Sequence, residues 1–406
     1  MGETPSFRML IVAVITSMAG SFHYGYNLVL TNPSQDAFLS FMNQTFAKRF
    51  DGGLSDHTLQ NIWSFVVAVL FLGALAGSFS IPFIAEGVGR KNGLYISISV
   101  GVLAGGMSIA SKFIPLFELY IISRVVMGWS VSVSLGLSGI FLSEASPKQN
   151  RGAIGMMTGT AIQLGTVVGS VVAMPQIFGT DDLWWVIYAT EIGIMLVFGA
   201  ALPFFPESPG YLIQKGSLES ATISISFYYK CEKEEADKHV KEIQKEQMNS
   251  TKKFTMLDVI QQKSLRDKAF VGAVVTFVMS FSGVAVISAF AFEILVNTGP
   301  GPLSYFINAE LVGQDARSAA QSWASVVQMI SQFSIITAFL PMKNQLGEAW
   351  SYLILFVAPV AVSLVFLYFS LPETKNKSPI EVEEAIEELP KLPLCRSTRS
   401  NSIKPI

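Results

Sequence analysis

Glu144-Ala145-Ser146-Pro147-Lys148-Gln149-Asn150-Arg151 ends one apolar run of this chain, and Glu310-Leu311-Val312-Gly313-Gln314-Asp315-Ala316-Arg317 ends another. Each sets an arginine seven residues after a glutamate. The frame continues downstream. Glu144 lies 62 residues before Pro206-Glu207-Ser208-Pro209, and Glu310 lies 62 residues before Pro372-Glu373-Thr374-Lys375. A weak repeat carried by two apolar halves is the mark of a transporter built from duplicated helix bundles, with its substrate held between them. Upstream of Glu310 the repeat shortens: Arg8 to Glu144 is 136 residues, but Asp267 to Glu310 is 43. A first-half loop of about 25 residues explains part of the difference, and on the order of 70 residues remain absent, about three spans at ~20 residues each.

Composition places the chain in a bilayer. It is 50% hydrophobic and 14% charged, with a mean hydropathy of +0.46, unlike a soluble domain. Uncharged stretches cover 9–35, 57–85, 92–111, 125–143, 152–180, 192–206, 269–292, 294–309, 318–342 and 349–372. Most reach the ~20 residues that a helix needs to cross the hydrocarbon core. The first is long and followed by further spans, so it reads as a retained helix rather than a signal peptide. A net charge of −2 speaks against a nucleic-acid partner. Cys231 and Cys395 both lie in hydrophilic segments, which indicates no disulfide framework.

Basic residues set the orientation. With the N-terminus inside, the outer loops hold only Lys48, Arg49, Lys112 and Lys343 of the 28 lysines and arginines, a strong positive-inside asymmetry. Both termini are then cytosolic. Residues 31–60 lie outside, where Asn43-Gln44-Thr45 forms a glycosylation sequon at Asn43. Four regions follow: an N-terminal six-helix bundle over 1–209, a cytosolic helical linker over 210–266, a depleted C-terminal bundle over 267–375 and a disordered tail over 376–406. Between Lys230 and Glu246 acids and bases alternate at helical spacing, as in a solvated helix.

Several strings in order carry a resemblance. They are Gly20-Ser21-Phe22-His23-Tyr24-Gly25-Tyr26-Asn27, Gly89-Arg90-Lys91, Glu144-Ala145-Ser146-Pro147 with Arg151-Gly152, Gln163-Leu164-Gly165, Pro206-Glu207-Ser208-Pro209-Gly210-Tyr211-Leu212, Gly299-Pro300-Gly301-Pro302 and Pro372-Glu373-Thr374-Lys375. Each is weak alone, but the ordered set is specific, and it resembles the facilitative hexose (GLUT-type) transporters of the major facilitator superfamily. The resemblance covers residues 8 to about 380. It implies an all-α polytopic fold of two bundles that rock around a central glucose or fructose site in the plasma membrane, with no cofactor.

Arg90, Glu144, Arg151, Glu207, Glu310 and Arg317 fall at cytoplasmic helix ends. Acid–base pairs there can latch one bundle against the other and bias inward-closed against inward-open states. The plainer alternative is that they anchor helix ends and set topology. The arginine expected after Pro-Glu-Ser-Pro is Gly210, and the second half has no counterpart of Gly89-Arg90-Lys91.

A sugar site needs amides and aromatics facing a wet cavity. Gln163 is a lone amide in an apolar span, where a polar group is costly unless it meets a cavity or another helix. It matches the family's fifth-helix sugar ligand; helix-packing glue is the other reading. In the second half the resemblance assigns Asn297, Tyr305 and Gln328 to the sugar, each standing where the family has a different residue. The family's seventh-helix glutamines and asparagine are replaced across Met279-Ser280-Phe281-Ser282-Gly283-Val284-Ala285. Losing three amide contacts at ~1 kcal/mol each predicts roughly 100-fold weaker binding.

Three functions stay open at this point. One is a facilitative hexose carrier; residues 9–35 contain no carboxylate, which speaks against a proton-coupled version. Another is a non-transporting shortened variant that misfolds, is degraded or associates with a full-length relative. The third is a sugar sensor or scaffold acting through its cytosolic segments. The scattered histidines His23, His57 and His239 form no nucleophile–base constellation, so an enzyme is not expected.

Overall fold

The computed structural model describes residues 6–49, 54–249 and 317–347, with short helical pieces between 270 and 277 and between 350 and 363. Among the described residues six stretches are long and apolar enough to cross a bilayer: Phe7–Val29, Thr58–Gly87, Arg90–Phe113, Phe117–Ala145, Arg151–Val172 and Trp184–Phe204. Among the described residues every regular element is helical. The all-α polytopic fold expected from the sequence is what the chain adopts.

The first span is two helices, α1 (Phe7–Ala19) and α2 (Ser21–Val29), broken at Gly20. Ser6 caps α1 by accepting from the Met9 N–H at 3.3 Å, which satisfies one of the helix's orphan donors. Then come α3 (Gln35–Arg49), α4 (Asp56–Gly87), α5 (Arg90–Phe113), α6 (Phe117–Ala145), α7 (Arg151–Val172) and α8 (Trp184–Ala201). Two spans begin earlier than the uncharged stretches suggested. The boundaries at 125 and 192 arose because Arg124 and Glu191 are charged, yet both are interior to helices and buried.

Small residues let the helices approach backbone to backbone. A Cβ at Gly25 would lie 1.9 Å from the Ile162 carbonyl oxygen, and one at Gly165 would lie 2.1 Å from that of Phe22. Thus α2 and α7 touch main chain to main chain. Gly73 against Val125 and Gly128 against Leu70 do the same for α4 and α6. Where lipid is as apolar as the side chains, such close packing supplies the association energy between helices. Phe83, Leu103, Val197 and Phe204 point outward and exposed, as befits a bundle that meets acyl chains.

The linker holds more structure than its charge pattern revealed. Before the charged helix α11 (Lys233–Asn249) come α9 (Pro209–Gln214) and α10 (Leu218–Tyr229). They dock on the bundle through Tyr228, which packs with Met9, Val12, Phe141 and Ile154. Ala236 and Val240 of α11 close over Ile213, Ala221 and Ile225.

From the second half, α12 (Arg317–Leu346) lies along α4. Among its buried positions, Ser322, Ser325, Gln328, Gln332, Ile336 and Phe339 recur as a stripe at three and four residues, and Ala319, Ala324, Val326, Met329, Ser331 and Ile335 are buried beside them. Met329, Ile336 and Phe339 join the core that also holds Trp63, Phe71 and Met127. The upper half of that stripe is polar.

Candidate functional site

Every residue of α2 is buried, and each face meets a different helix. Gly25 meets α7, Tyr24 reaches α12, and His23 and Asn27, one turn apart, face α8 and α6. The site is therefore built around one nine-residue helix.

On the α12 side the Tyr24 hydroxyl donates to Gln332 Oε1 at 2.7 Å and accepts from Gln328 Nε2 at 3.1 Å. All three side chains are 1–2% exposed. This joins the first span to a helix of the second half through a phenol held between two amides. Gln163 is on α7, one residue beyond the Ile162 carbonyl that abuts Gly25, so it shares the level of Tyr24 in the bundle. Gln163 is half-buried and has no hydrogen-bond partner among the described residues. An amide so placed keeps its donors and acceptor for something else.

On the other side of α2 lies a polar cluster the sequence reading missed. Asn27 Nδ2 donates to Glu191 Oε1 at 2.5 Å, Arg124 Nη1 donates to Asn27 Oδ1 at 3.3 Å, and His23 Nδ1 is 3.6 Å from Glu191 Oε1. Asn27 thus links guanidinium to carboxylate. Both His23 nitrogens, Arg124 Nε and Nη2, and Glu191 Oε2 have no hydrogen-bond partner among the described residues. Residues 9–35 contain no carboxylate, but the sixth span places Glu191 against Asn27. The available signal was a pair of opposite charges, Arg124 and Glu191, each standing immediately before an uncharged run. Tyr26 donates to the Ile187 carbonyl at 2.7 Å, and the hydroxyls of Tyr120 and Tyr188 lie 2.8 Å apart.

At the end of the bundle that carries the linker, Gly89 has a φ of +99° and turns the chain into α5. The Glu207 carboxylate fills the space a Cβ would need, 2.6 Å away. Both its oxygens accept the Lys91 N–H at 3.0 Å, and Oε1 also accepts the Ser208 N–H at 2.8 Å. A carboxylate there meets the positive end of the helix dipole. Arg90 pairs with Glu144 at 2.8 Å and donates to the Ala85 carbonyl at 2.9 Å. The second Glu144 oxygen accepts from Ser208 Oγ at 2.6 Å. A Cβ at Gly210 would lie 3.0 Å from that carboxylate, so Ser208 and the bare glycine meet Glu144 where the resemblance leads one to expect arginine. Arg90 also lies over the Tyr211 ring at 5.5 Å. Tyr228 donates to the Pro206 carbonyl at 2.6 Å. Burial, reinforced by the Glu207 carboxylate, pushes its phenol well above the ordinary tyrosine range.

The structure therefore brings Arg90, Glu144 and Glu207 into one cluster within the first half, while Arg151 begins α7, half-buried, directly after that loop. Arg317 begins α12, but its side chain, like Asn297, Tyr305 and Glu310, lies outside the described residues. Asn43 sits inside α3, half-buried, and its Oδ1 accepts the Leu54 N–H at 3.2 Å; Thr45 of the sequon is buried. His23 apart, the histidines stay scattered: His239 is on α11 beside Glu242 at 3.2 Å. Among the described residues no group of three metal-ligating side chains occurs.

In sequence and in fold the chain is similar to known transporters. The Sugar (and other) transporter family profile matches residues 12–299 and 284–386. The chain is 25% identical over 468 residues to solute carrier family 2, facilitated glucose transporter member 3 of Ovis aries, covering 95% of this chain and 94% of the relative. It is 24% identical over 465 residues to member 9 of Mus musculus, covering 94% and 86%. The structure of the major facilitator superfamily proton:xylose symporter XylE bound to 6-bromo-6-deoxy-D-glucose superimposes with a TM-score of 0.70 at 17% identity, covering 94% of this chain and all of that one. The first alignment is longer than the chain's own 406 residues, and the two profile matches meet at 284–299. The relatives carry residues for which this chain has none, and the joint falls where the repeat shortened.

Proposed function

Because the chain belongs to the Sugar (and other) transporter family, we propose that this multi-pass membrane protein binds a hexose between its N-terminal bundle and its shortened C-terminal half. It is a facilitative carrier by descent, and in this 406-residue form its flux is small. The observation that carries the reading is the meeting of polar side chains inside apolar spans: Gln163 on α7, and Tyr24 of α2 joined to Gln328 and Gln332 of α12. Such groups persist in a membrane interior when they face a ligand path or one another. Asn297 and Tyr305 complete the second-half wall. Arg90, Glu144, Arg151 and Glu207 form the gate of the first half, which meets Glu310 and Arg317 of the second when the site is closed to the cytosol. The regions are 1–209, 210–266, 267–375 and 376–406, with both termini cytosolic and the protein in the plasma membrane.

The small flux follows from the repeat. Alternating access uses two rigid bundles of comparable size, and one here lacks about three spans at ~20 residues each. That deficit also favours a second reading, in which the protein associates with a full-length relative that covers the lipid-exposed face. The test is binding of radiolabelled D-glucose and D-fructose to purified protein in lipid nanodiscs. Stereospecific binding lost in Gln163→Leu is expected. Binding that survives Gln163→Leu unchanged would make Gln163 a packing residue.

A further inference from the structure

The Tyr24 hydroxyl does what a sugar hydroxyl does in a carrier: it donates to one amide and accepts from another. Its partners are Gln332 Oε1 at 2.7 Å and Gln328 Nε2 at 3.1 Å. The phenol comes from the first half and both amides from the second, so the arrangement bridges the halves where a ligand would bridge them. All three groups are 1–2% exposed. A buried amide that loses a hydrogen bond is destabilised, so a hydroxyl at this position is stabilising. Met329 and Ile336 on the same helix are fully buried in the apolar core and hold the face that carries the two glutamines, and Tyr24 is buried in that same core.

We propose that Tyr24 is an internal surrogate for a hexose hydroxyl, which a sugar must displace from Gln328 and Gln332 before the site is complete. This rests on the hexose reading above and makes Tyr24 a specificity-determining residue. A ligand that offers a hydroxyl with both donor and acceptor free at that position takes over both bonds. A deoxy or fluoro analogue at the same carbon takes over one or neither, and loses to the phenol.

Removing the surrogate tests this. Tyr24→Phe keeps the ring and deletes the competitor; Tyr24→Leu removes both and serves if the first variant folds poorly. Binding of radiolabelled D-glucose and D-fructose is measured in nanodiscs for the full chain and each variant, with L-glucose as control and the monodeoxy-D-glucose series as competitors. The expected result is hexose affinity about three- to tenfold higher in Tyr24→Phe, with one deoxy position that discriminates strongly in the parent and less in the variant. Equal or weaker binding in both variants, with binding by the parent intact, overturns the surrogate and leaves the hexose reading standing. Stereospecific binding by no form overturns both.

Discussion

Glu207 accepts the backbone N–H of Lys91 with both carboxylate oxygens at 3.0 Å, although 116 residues separate them. This one contact ties the end of the sixth span to the start of the third, and Gly89 makes it possible. With φ at +99° and Glu207 2.6 Å from any Cβ, no other residue fits. Gly89→Ala is expected to destabilise by about 2–4 kcal/mol, combining left-handed strain with eviction of the carboxylate. Thermal unfolding in detergent checks it, with Gly87→Ala as the reference: a Cβ at Gly87 meets nothing within 4 Å. Equal shifts for the two would contradict the account.

The approach of α2 to α7 sets a second expectation. A Cβ at Gly25 lies 1.9 Å from the Ile162 carbonyl oxygen, a main-chain atom that no rotamer change can move. Gly25→Ala should lower the yield of folded protein more than Gly139→Ala, where a Cβ again meets nothing within 4 Å. Size-exclusion profiles of the two variants decide it.

The cluster of Arg124, Asn27, Glu191 and His23 carries opposite charges and is buried within the bundle. Arg124→Leu leaves the Glu191 carboxylate uncompensated and should cost about 3–5 kcal/mol. The double variant Arg124→Leu/Glu191→Leu should be more stable than Arg124→Leu alone, because replacing both partners removes two desolvation penalties together. If the double variant is the less stable of the two, the charges are not coupled through Asn27.

Tyr228 gives a pH expectation. Burial and Glu207 raise its phenol, so below pH ~10 it is neutral folded and unfolded alike and contributes no pH dependence. Above pH ~10 the unfolded chain ionises while the folded one does not, and stability falls as pH rises. Tyr228→Phe should lose about 1 kcal/mol from the bond to Pro206 and show a shallower decline above pH ~10. Parallel alkaline profiles for parent and variant would contradict this.

How much of this was legible in the sequence depended on the physics behind each signal. Long apolar runs revealed the six spans, because crossing a bilayer demands length and hydrophobicity together. The same criterion hid Arg124 and Glu191, since a charge was read as a boundary while the helices carried theirs inside. Gln163 stood out as the lone amide of its span. Tyr24 did not: an aromatic in an apolar run looks like packing, and only the turn of α12 shows two glutamines four residues apart closing on its hydroxyl. The linker's α11 was plain from alternating charge, whereas α9 and α10 are ordinary in composition and owe their place to Tyr228 docking against α1, α6 and α7.

Hexose uptake into proteoliposomes by the 406-residue chain, alongside an intact relative and with inserted protein quantified, tests the central claim most directly. We expect stereospecific hexose binding with little saturable flux of D-glucose or D-fructose. Robust flux, competitively inhibited and lost in Gln163→Leu, would show that the shortened second half is a working design and contradict this account.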